Sequence, residues 1–207
     1  RMHPQARYHV LHVSSGKTVE LIEQAWAEGL QVSCEVTPHH LYYTYNEIPE
    51  DNTSFKMNPP LRGGYDRDKL IKGIHSGTVA FVATDHAPHS QSDKGKEFAS
   101  SAYGTTGMET SLRVLFYLHS IRELSATRLV EVWASKPAEY LGIDHAFGKI
   151  KEGRPFNALL VDPNFEPHKV EKSDLESLGK NNVFLGSDLP GRLYTFFNAR
   201  YKFELNS

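Results

Sequence analysis

The sequence predicts an α/β protein with parallel strands, joined to a smaller β-rich segment. Strand-like and helix-like runs alternate over the first 145 or so residues, the pattern of parallel strands linked by crossover helices. Clusters of ionisable residues follow the strand-like runs, at the ends where such folds keep their chemistry. Long amphipathic helices stop near Gly148, and short β-like runs alternate with turns from there on.

Taken in order, Arg7–Val13 (RYHVLHV) reads as a strand, with Ser14, Ser15 and Gly16 as the turn that follows. Lys17–Glu28 has helical spacing, with Val19, Leu21, Ile22, Ala25 and Trp26 on its apolar side and Gly29 as its stop. Leu30–Val36 is a second strand running into Thr37-Pro38-His39-His40. Residues 41–65, rich in Tyr, Asn and Pro, form a long connection of the kind that is usually functional. Asp66–Ser76 reads as a helix with Asp66 as N-cap. Thr78–Thr84 (TVAFVAT) is a strand too uniformly apolar to have a solvated face, and it ends in Asp85-His86-Ala87-Pro88-His89. A Gly/Ser-rich loop covers 90–106. Helices are expected over Gly107–Ile121 and Ser125–Ser135, with a further turn at Lys136–Leu141. In the tail, Asn157–Val161, Asn182–Leu185 and Leu193–Phe203 read as strands.

Bulk properties narrow the function. The chain has 207 residues, 39% hydrophobic and 23% charged, which suits a globular protein with a real core and argues against disorder. A net charge of -2 without a Lys/Arg block offers no electrostatic footprint for nucleic acid, while a small anionic substrate stays open. No apolar run approaches the ~20 residues a membrane helix needs. Cys34 is the single cysteine, so no intrachain disulfide can form, which fits a reducing, cytoplasmic setting. The N-terminal RMHPQARYHV lacks a signal-peptide shape and runs at once into a strand, so the chain is expected to begin inside a larger fold.

The candidate residues cluster at strand ends. His12 ends the first strand, where an imidazole can face a barrel mouth and bind a metal; taken alone, a structural histidine is the commoner case. His9, three residues earlier, reads as a packing residue. Asp85 follows a buried strand, and a carboxylate there needs a metal, a histidine or an arginine as partner. His86 and His89 flank it, and Pro88 stiffens the connection. Asn58, in KMNPPLR, carries the donor and acceptor that suit an amide or imide edge, although Asn-Pro also favours an ordinary turn. Arg62 could hold a carboxylate or pair on the surface, and the residues do not decide between these. His39 and His40 read as structural. Gly104, after Tyr103, permits close backbone approach to a ligand.

Together, HVSS at 12–15, EVTPHHL at 35–41, KMNPPLR at 56–62, ATDHAPH at 83–89 and YGTTGMET at 103–110 resemble the type I dihydroorotases of the amidohydrolase superfamily. The tail segments GKIKEGRPFNALLVDP at 148–163 and FLGSDLPGRLYTFFNARYKFE at 184–204 resemble the composite β-domain of that family. The resemblance implies strands six to eight of a (β/α)8 TIM barrel over residues 1–147 and a β-rich composite segment over 148–207. His12 then looks like the strand-six metal ligand. Asp85 looks like the strand-eight aspartate that touches a metal and shuttles the proton. Asn58, His89, Tyr103 and Gly104 look like substrate-binding residues, with Tyr103 where the family commonly has Phe. The family's HxH motif, its strand-four carboxylate and its strand-five histidine are not in this sequence.

The activity so implied is the reversible hydrolysis of dihydroorotate to N-carbamoyl-L-aspartate, with two zinc ions in the complete site and a homodimeric enzyme. Two rivals remain. One is an allantoinase or hydantoinase on the same barrel. The other is a non-catalytic relative that supports aspartate transcarbamoylase.

Overall fold

The computed structural model describes residues 3, 5–199 and 201–204, which divide into two compact units: Arg1–Glu109 with Leu175–Val183, and Thr110–Asp174 with Phe184–Ser207. The first unit is built on a three-stranded parallel sheet of β1 (Tyr8–Val10), β2 (Val32–Val36) and β3 (Phe81–Val82), in that spatial order. Helix α1 (Gly16–Ala27) joins β1 to β2, and α2 (Pro38–Tyr42) and α3 (Gly64–Ser76) lie between β2 and β3. The short α4 (Gln91–Lys94) follows β3. Mixed α/β architecture with parallel strands is as expected, but the strands are shorter than the apolar runs. Single bonds extend the ladder at its edges, Val13 N–H to Glu35 O at 2.9 Å and Ala83 N–H to Val36 O at 3.0 Å.

The helices form for local reasons. Ser15 caps α1 by accepting from Lys17 N–H, and Val19 and Ile22, three apart, are its buried apolar stripe. Leu21, expected on the same side, is instead exposed, because one hundred degrees of rotation per residue carries it off a narrow stripe. Trp26 keeps to the stripe, seven residues after Val19, but it lies in the last turn, where its ring stays exposed and its Nε1–H donates to Val32 O. Leu70, Ile71 and Ile74 are the buried face of α3, and Gly77 ends it in the left-handed conformation. The two helices meet at Gly73, where a Cβ would lie 3.1 Å from Val19 and 2.9 Å from Val79. Truncating Ile74 here would cost about 2–5 kcal/mol.

Asp66 is not the N-cap of α3. The helix begins after Gly63, and the Asp66 carboxylate, in its first turn, accepts from Gly16 N–H at 2.9 Å, capping α1 across the interhelical gap. The connection at 41–65 is also less bare than expected, since α2 and two single turns of 3-10 helix, at Tyr45–Glu47 and Thr53–Phe55, organise it.

In the second unit, α5 (Ser111–Ser120) starts four residues later than the spacing predicts. Then α6 (Ala126–Val130) runs through a π-helical turn, Glu131–Ser135, into α7 (Lys136–Leu141). Pro137, one residue into α7, lacks the N–H that would continue the α ladder, and Lys136 N–H reaches back to Glu131 O. Two antiparallel sheets follow. β4 (Asn157–Asp162), β7 (Arg192–Asn198) and β8 (Tyr201–Glu204) make one in the order β4-β7-β8, and β5 (His168–Lys169) pairs with β6 (Asp188–Leu189). The run 193–203 is thus a hairpin, broken at Ala199 with φ 34°. Buried Arg113 of α5 ties β5 to β6 by donating to His168 O at 2.8 Å and Leu189 O at 2.6 Å.

Residues 182–185 do not form the expected strand. Val183 N–H bonds to Thr105 Oγ1 and the Asn182 side chain to Thr106 O, so side-chain contacts of the first unit take the place of a strand partner.

Candidate active site

The three parallel strands put their C-terminal ends on one edge of one sheet, and both sequence-selected acid and imidazole groups follow there. His12 lies two residues past β1, and Asp85 three residues past β3. Neighbouring strands are about 4.8 Å apart, so the two chains leave the sheet about 10 Å from each other. Both residues are half-buried. Both also hold left-handed backbone, φ 35° at His12 and φ 47° at Asp85, two of the five non-glycine residues that do so among the described residues. That conformation costs of order 1–3 kcal/mol at a non-glycine residue and clusters at functional sites.

Behind His12, His39 is 2% exposed and its Nε2 has no hydrogen-bond partner. Burial, then His40 and His12, hold its imidazole well below the usual histidine range, so it is neutral. His40 is neutral as well, pushed down to about 4 chiefly by burial. Its Nδ1 sits 2.6 Å from Thr37 Oγ1, and its Nε2–H donates to Pro59 O at 3.0 Å. The structural role expected of His40 is therefore visible: it pins the turn that carries exposed Asn58, whose peptide bond to Pro59 is cis. Arg62 closes the same turn onto the residues after His12, through Nε to Ser14 Oγ at 3.3 Å.

A second cluster is made by loops. His89 Nε2–H donates to Tyr103 O at 2.7 Å, which joins two of the four sequence-selected binding residues and brings the third, Gly104, next to them along the chain. Gly104 has φ 112°, and a Cβ on it would sit 2.6 Å from Ala87 Cβ, so glycine is required by both conformation and space. Its N–H donates to Lys56 O at 2.9 Å, which connects this pair to the Asn58 turn. The Lys56 ammonium lies 4.4 Å from the centre of the exposed Tyr103 ring and donates to Ala99 O at 2.7 Å. Buried Lys94 donates to Thr53 O and Lys56 O, and burial followed by the Lys56 charge pushes it down to about 8.

Sequence reasoning missed Lys56 and Lys94, which are ordinary loop lysines by pattern, and missed Asn181, which bonds to both loops. The one available signal was the polar Asn181-Asn182 pair ahead of VFL.

His86 does not join Asp85 in a common cluster. Its Nδ1 accepts from Gly107 N–H and Met108 N–H, leaving its Nε2–H toward Ser177 Oγ at 3.5 Å. Ser177 in turn hydrogen-bonds Glu109 through both its hydroxyl and its N–H. Burial pushes the Glu109 carboxyl up more than any other single influence, but those two bonds, with its own backbone N–H and the His86 charge, together hold it below its ordinary value. His86 is thus a structural strut.

A nitrogen donor at His12 and an oxygen donor at Asp85 are chemically suited to a divalent metal. Among the described residues no group of three or more His, Cys, Asp or Glu is gathered to hold an ion. Among the described residues no helix is long and apolar enough to cross a membrane.

The amidohydrolase family model matches residues 7–188. The dihydroorotase of Lactobacillus gasseri is 38% identical over 186 residues, 89% of this chain and 43% of that protein. That of Bacillus licheniformis is 38% identical over 181 residues, 86% of this chain and 41% of its own length. The chain therefore spans less than half the length of the curated relatives it matches. Among solved structures, an L-hydantoinase (dihydropyrimidinase) from Arthrobacter aurescens superposes with a TM-score of 0.88 at 31% identity, covering 95% of this chain and 44% of that one. A D-hydantoinase from a Thermus species reaches 0.83 at 20% identity, over 96% and 44%, which is likeness of fold alone.

Proposed function

This chain belongs to the amidohydrolase family, and from that premise we propose that it is the C-terminal part of a dihydroorotase, contributing strands six to eight of a (β/α)8 barrel over residues 1–147 and a β-rich composite segment over 148–207. The complete protein hydrolyses the ring amide of dihydroorotate to N-carbamoyl-L-aspartate and catalyses the reverse cyclisation, and this chain alone is inactive. The observation that carries the reading is the pairing of His12 with Asp85: both follow parallel strands at one sheet edge, and both hold costly left-handed backbone. The dihydroorotases at 36–38% identity support this substrate over the 31% identical L-hydantoinase.

In this reading His12 and Asp85 are this chain's ligands to a divalent metal, zinc by its preference for such nitrogen and oxygen donors, and two ions occupy the complete site. A bound ion lowers the pKa of water from 15.7 to roughly 7, so that a nucleophile is available at neutral pH. Asp85 accepts the proton of the attacking water and returns it to the departing ring nitrogen, general base and then general acid. The Asn58 carboxamide matches the donor–acceptor edge of a cyclic imide, while His89 and the Tyr103–Gly104 segment orient the ring and its carboxylate. The site is proposed to work in a cytoplasmic homodimer that associates with aspartate transcarbamoylase.

Parallel assays of the full-length protein with dihydroorotate, allantoin and hydantoin test the assignment. Turnover of dihydroorotate is expected to exceed the other two by at least ~100-fold, since a site with hydrogen-bonding groups matched to one substrate can reject another by up to about 10⁴–10⁵. Preferential turnover of hydantoin or allantoin would replace it with one of the rival hydrolases, and metal-free protein with no turnover of any of the three would leave a non-catalytic subunit.

A further inference from the structure

His89 and the Tyr103–Gly104 pair lie on two loops, outside any helix or strand, yet they meet in one place. The side chain of Asn181 supplies a physical reason. It lies 92 residues beyond His89 and 77 beyond Gly104, and it is 7% exposed. Its Oδ1 accepts from His89 N–H at 2.8 Å, and its Nδ2 donates to Ala87 O at 2.9 Å and to Gly104 O at 3.3 Å. Both donor hydrogens and the acceptor of the carboxamide are thereby spent on main-chain groups of the two loops.

The segment around Asn181 is seated closely enough for that role. Its own carbonyl accepts from Thr106 N–H at 3.0 Å and from Thr105 Oγ1 at 3.1 Å. At Gly179 an added Cβ would come within 2.7 Å of His89 N and 2.8 Å of His89 O, so nothing larger than glycine fits against the His89 backbone. Both loops are thus gripped from one side by residues 179–181. The grip reaches a third loop, because Gly104, held through its carbonyl by Asn181, gives its N–H to Lys56 O, two residues before Asn58.

We propose that Asn181 is a positioning residue for substrate binding, setting the spacing between the His89 loop and the Tyr103–Gly104 loop. The inference deepens the dihydroorotase reading, since it takes those loops to face the substrate. Asparagine is required by the bonding pattern. Aspartate at 181 has no N–H to give Ala87 O and Gly104 O, and would set a negative charge beside two carbonyl oxygens. Alanine leaves His89 N–H and both carbonyls without that partner. Glutamine keeps the carboxamide with one methylene more. None of these bonds is made to His12 or to Asp85 itself, the nearest being to Ala87 O two residues further on, so its loss is expected to act on binding more than on the metal ligands.

The test uses the full-length protein with Asn181→Asp, Asn181→Ala and Asn181→Gln. KM for dihydroorotate is expected to rise at least tenfold in the first two, with metal content unchanged and kcat falling less than KM rises, and glutamine should recover part of the loss. Amide hydrogen exchange is measured in parallel and needs no turnover. Faster exchange confined to 86–90 and 103–106, with residues 8–36 unchanged, is the expected result. Unchanged KM in both variants with unchanged exchange in the two loops would overturn the proposal. So would a loss of metal and kcat in step with exchange throughout the fold, which is what general destabilisation produces. Should wild-type protein fail to turn over dihydroorotate, the substrate reading falls, and the exchange arm still decides whether Asn181 sets the two loops.

Discussion

The sheet edge and the loop cluster hold their candidate residues by different physics. His12 and Asp85 are delivered by strand topology: β1 and β3 are parallel to β2, and whatever follows them emerges on the same side. Their placement depends on a main-chain ladder and on apolar residues such as Val36, Val79 and Val82 beneath it. His89, Tyr103 and Gly104 have no ladder. They rest on isolated main-chain bonds, Ala87 N–H to Thr105 O and Gly104 N–H to Lys56 O, and on side-chain bonds, of which Asn181 makes three. A ladder loses little when one side chain changes. A loop cluster held by a few scattered bonds, three of them from one carboxamide, is more exposed to a single substitution, so the metal side and the substrate side of the proposed site should fail independently.

The largest separation between the two regions is expected from Gly104→Ala in the full-length protein. The substitution asks alanine to hold φ 112° and sets its Cβ 2.6 Å from Ala87 Cβ. Strain of this kind costs about 1–3 kcal/mol, and overpacking adds a similar amount. Substrate affinity should fall at least tenfold while metal content stays normal, as read by calorimetric titration and elemental analysis. Loss of metal together with affinity would show that the two regions are one cooperative unit.

A smaller effect follows from the buried imidazoles. The folded pKa of His40 is about 4, below its unfolded value of 6.5, because burial opposes the charged form. Between these values the unfolded chain binds more protons than the folded one, so stability is present above pH 6.5 and is lost as pH falls toward 4. The loss is on the order of 3 kcal/mol for this group, and His39 shifts in the same direction. Thermal unfolding should therefore move to lower temperature between pH 7 and pH 4.5, and His40→Gln should remove part of that dependence. An unchanged pH dependence in the variant would mean that His40 does not anchor the Asn58 turn.

The contrast also explains what the sequence disclosed. Strand and helix alternation was legible because burial writes a period into the chain, as at Val19 and Ile22 of α1 or Leu70, Ile71 and Ile74 of α3. His12 and Asp85 were legible as strand-end residues for the same reason, although their positive φ was not, since nothing local demands it. Asp66 was misread because its carboxylate serves a neighbouring helix 50 residues away, and no local rule reports that. Asn182–Leu185 looked like a strand because its apolar run is real, yet its main chain and side chains bond to Thr105 and Thr106. Asn181, Lys56 and Lys94 stayed hidden because a side-chain bond to a distant carbonyl leaves no periodic trace. Tyr103 and Gly104 came into view through resemblance, while the structure supplies the physical demand for glycine.

The central claim is that His12 and Asp85 serve one metal-dependent site, and the full-length protein bearing His12→Ala or Asp85→Asn tests it most directly when metal content and dihydroorotate turnover are measured on the same samples. The account predicts reduced metal occupancy in His12→Ala and a fall in kcat of about 10²–10⁴ in Asp85→Asn, the range general acid–base catalysis supplies. Wild-type metal content in the first together with near-normal turnover in the second would contradict it.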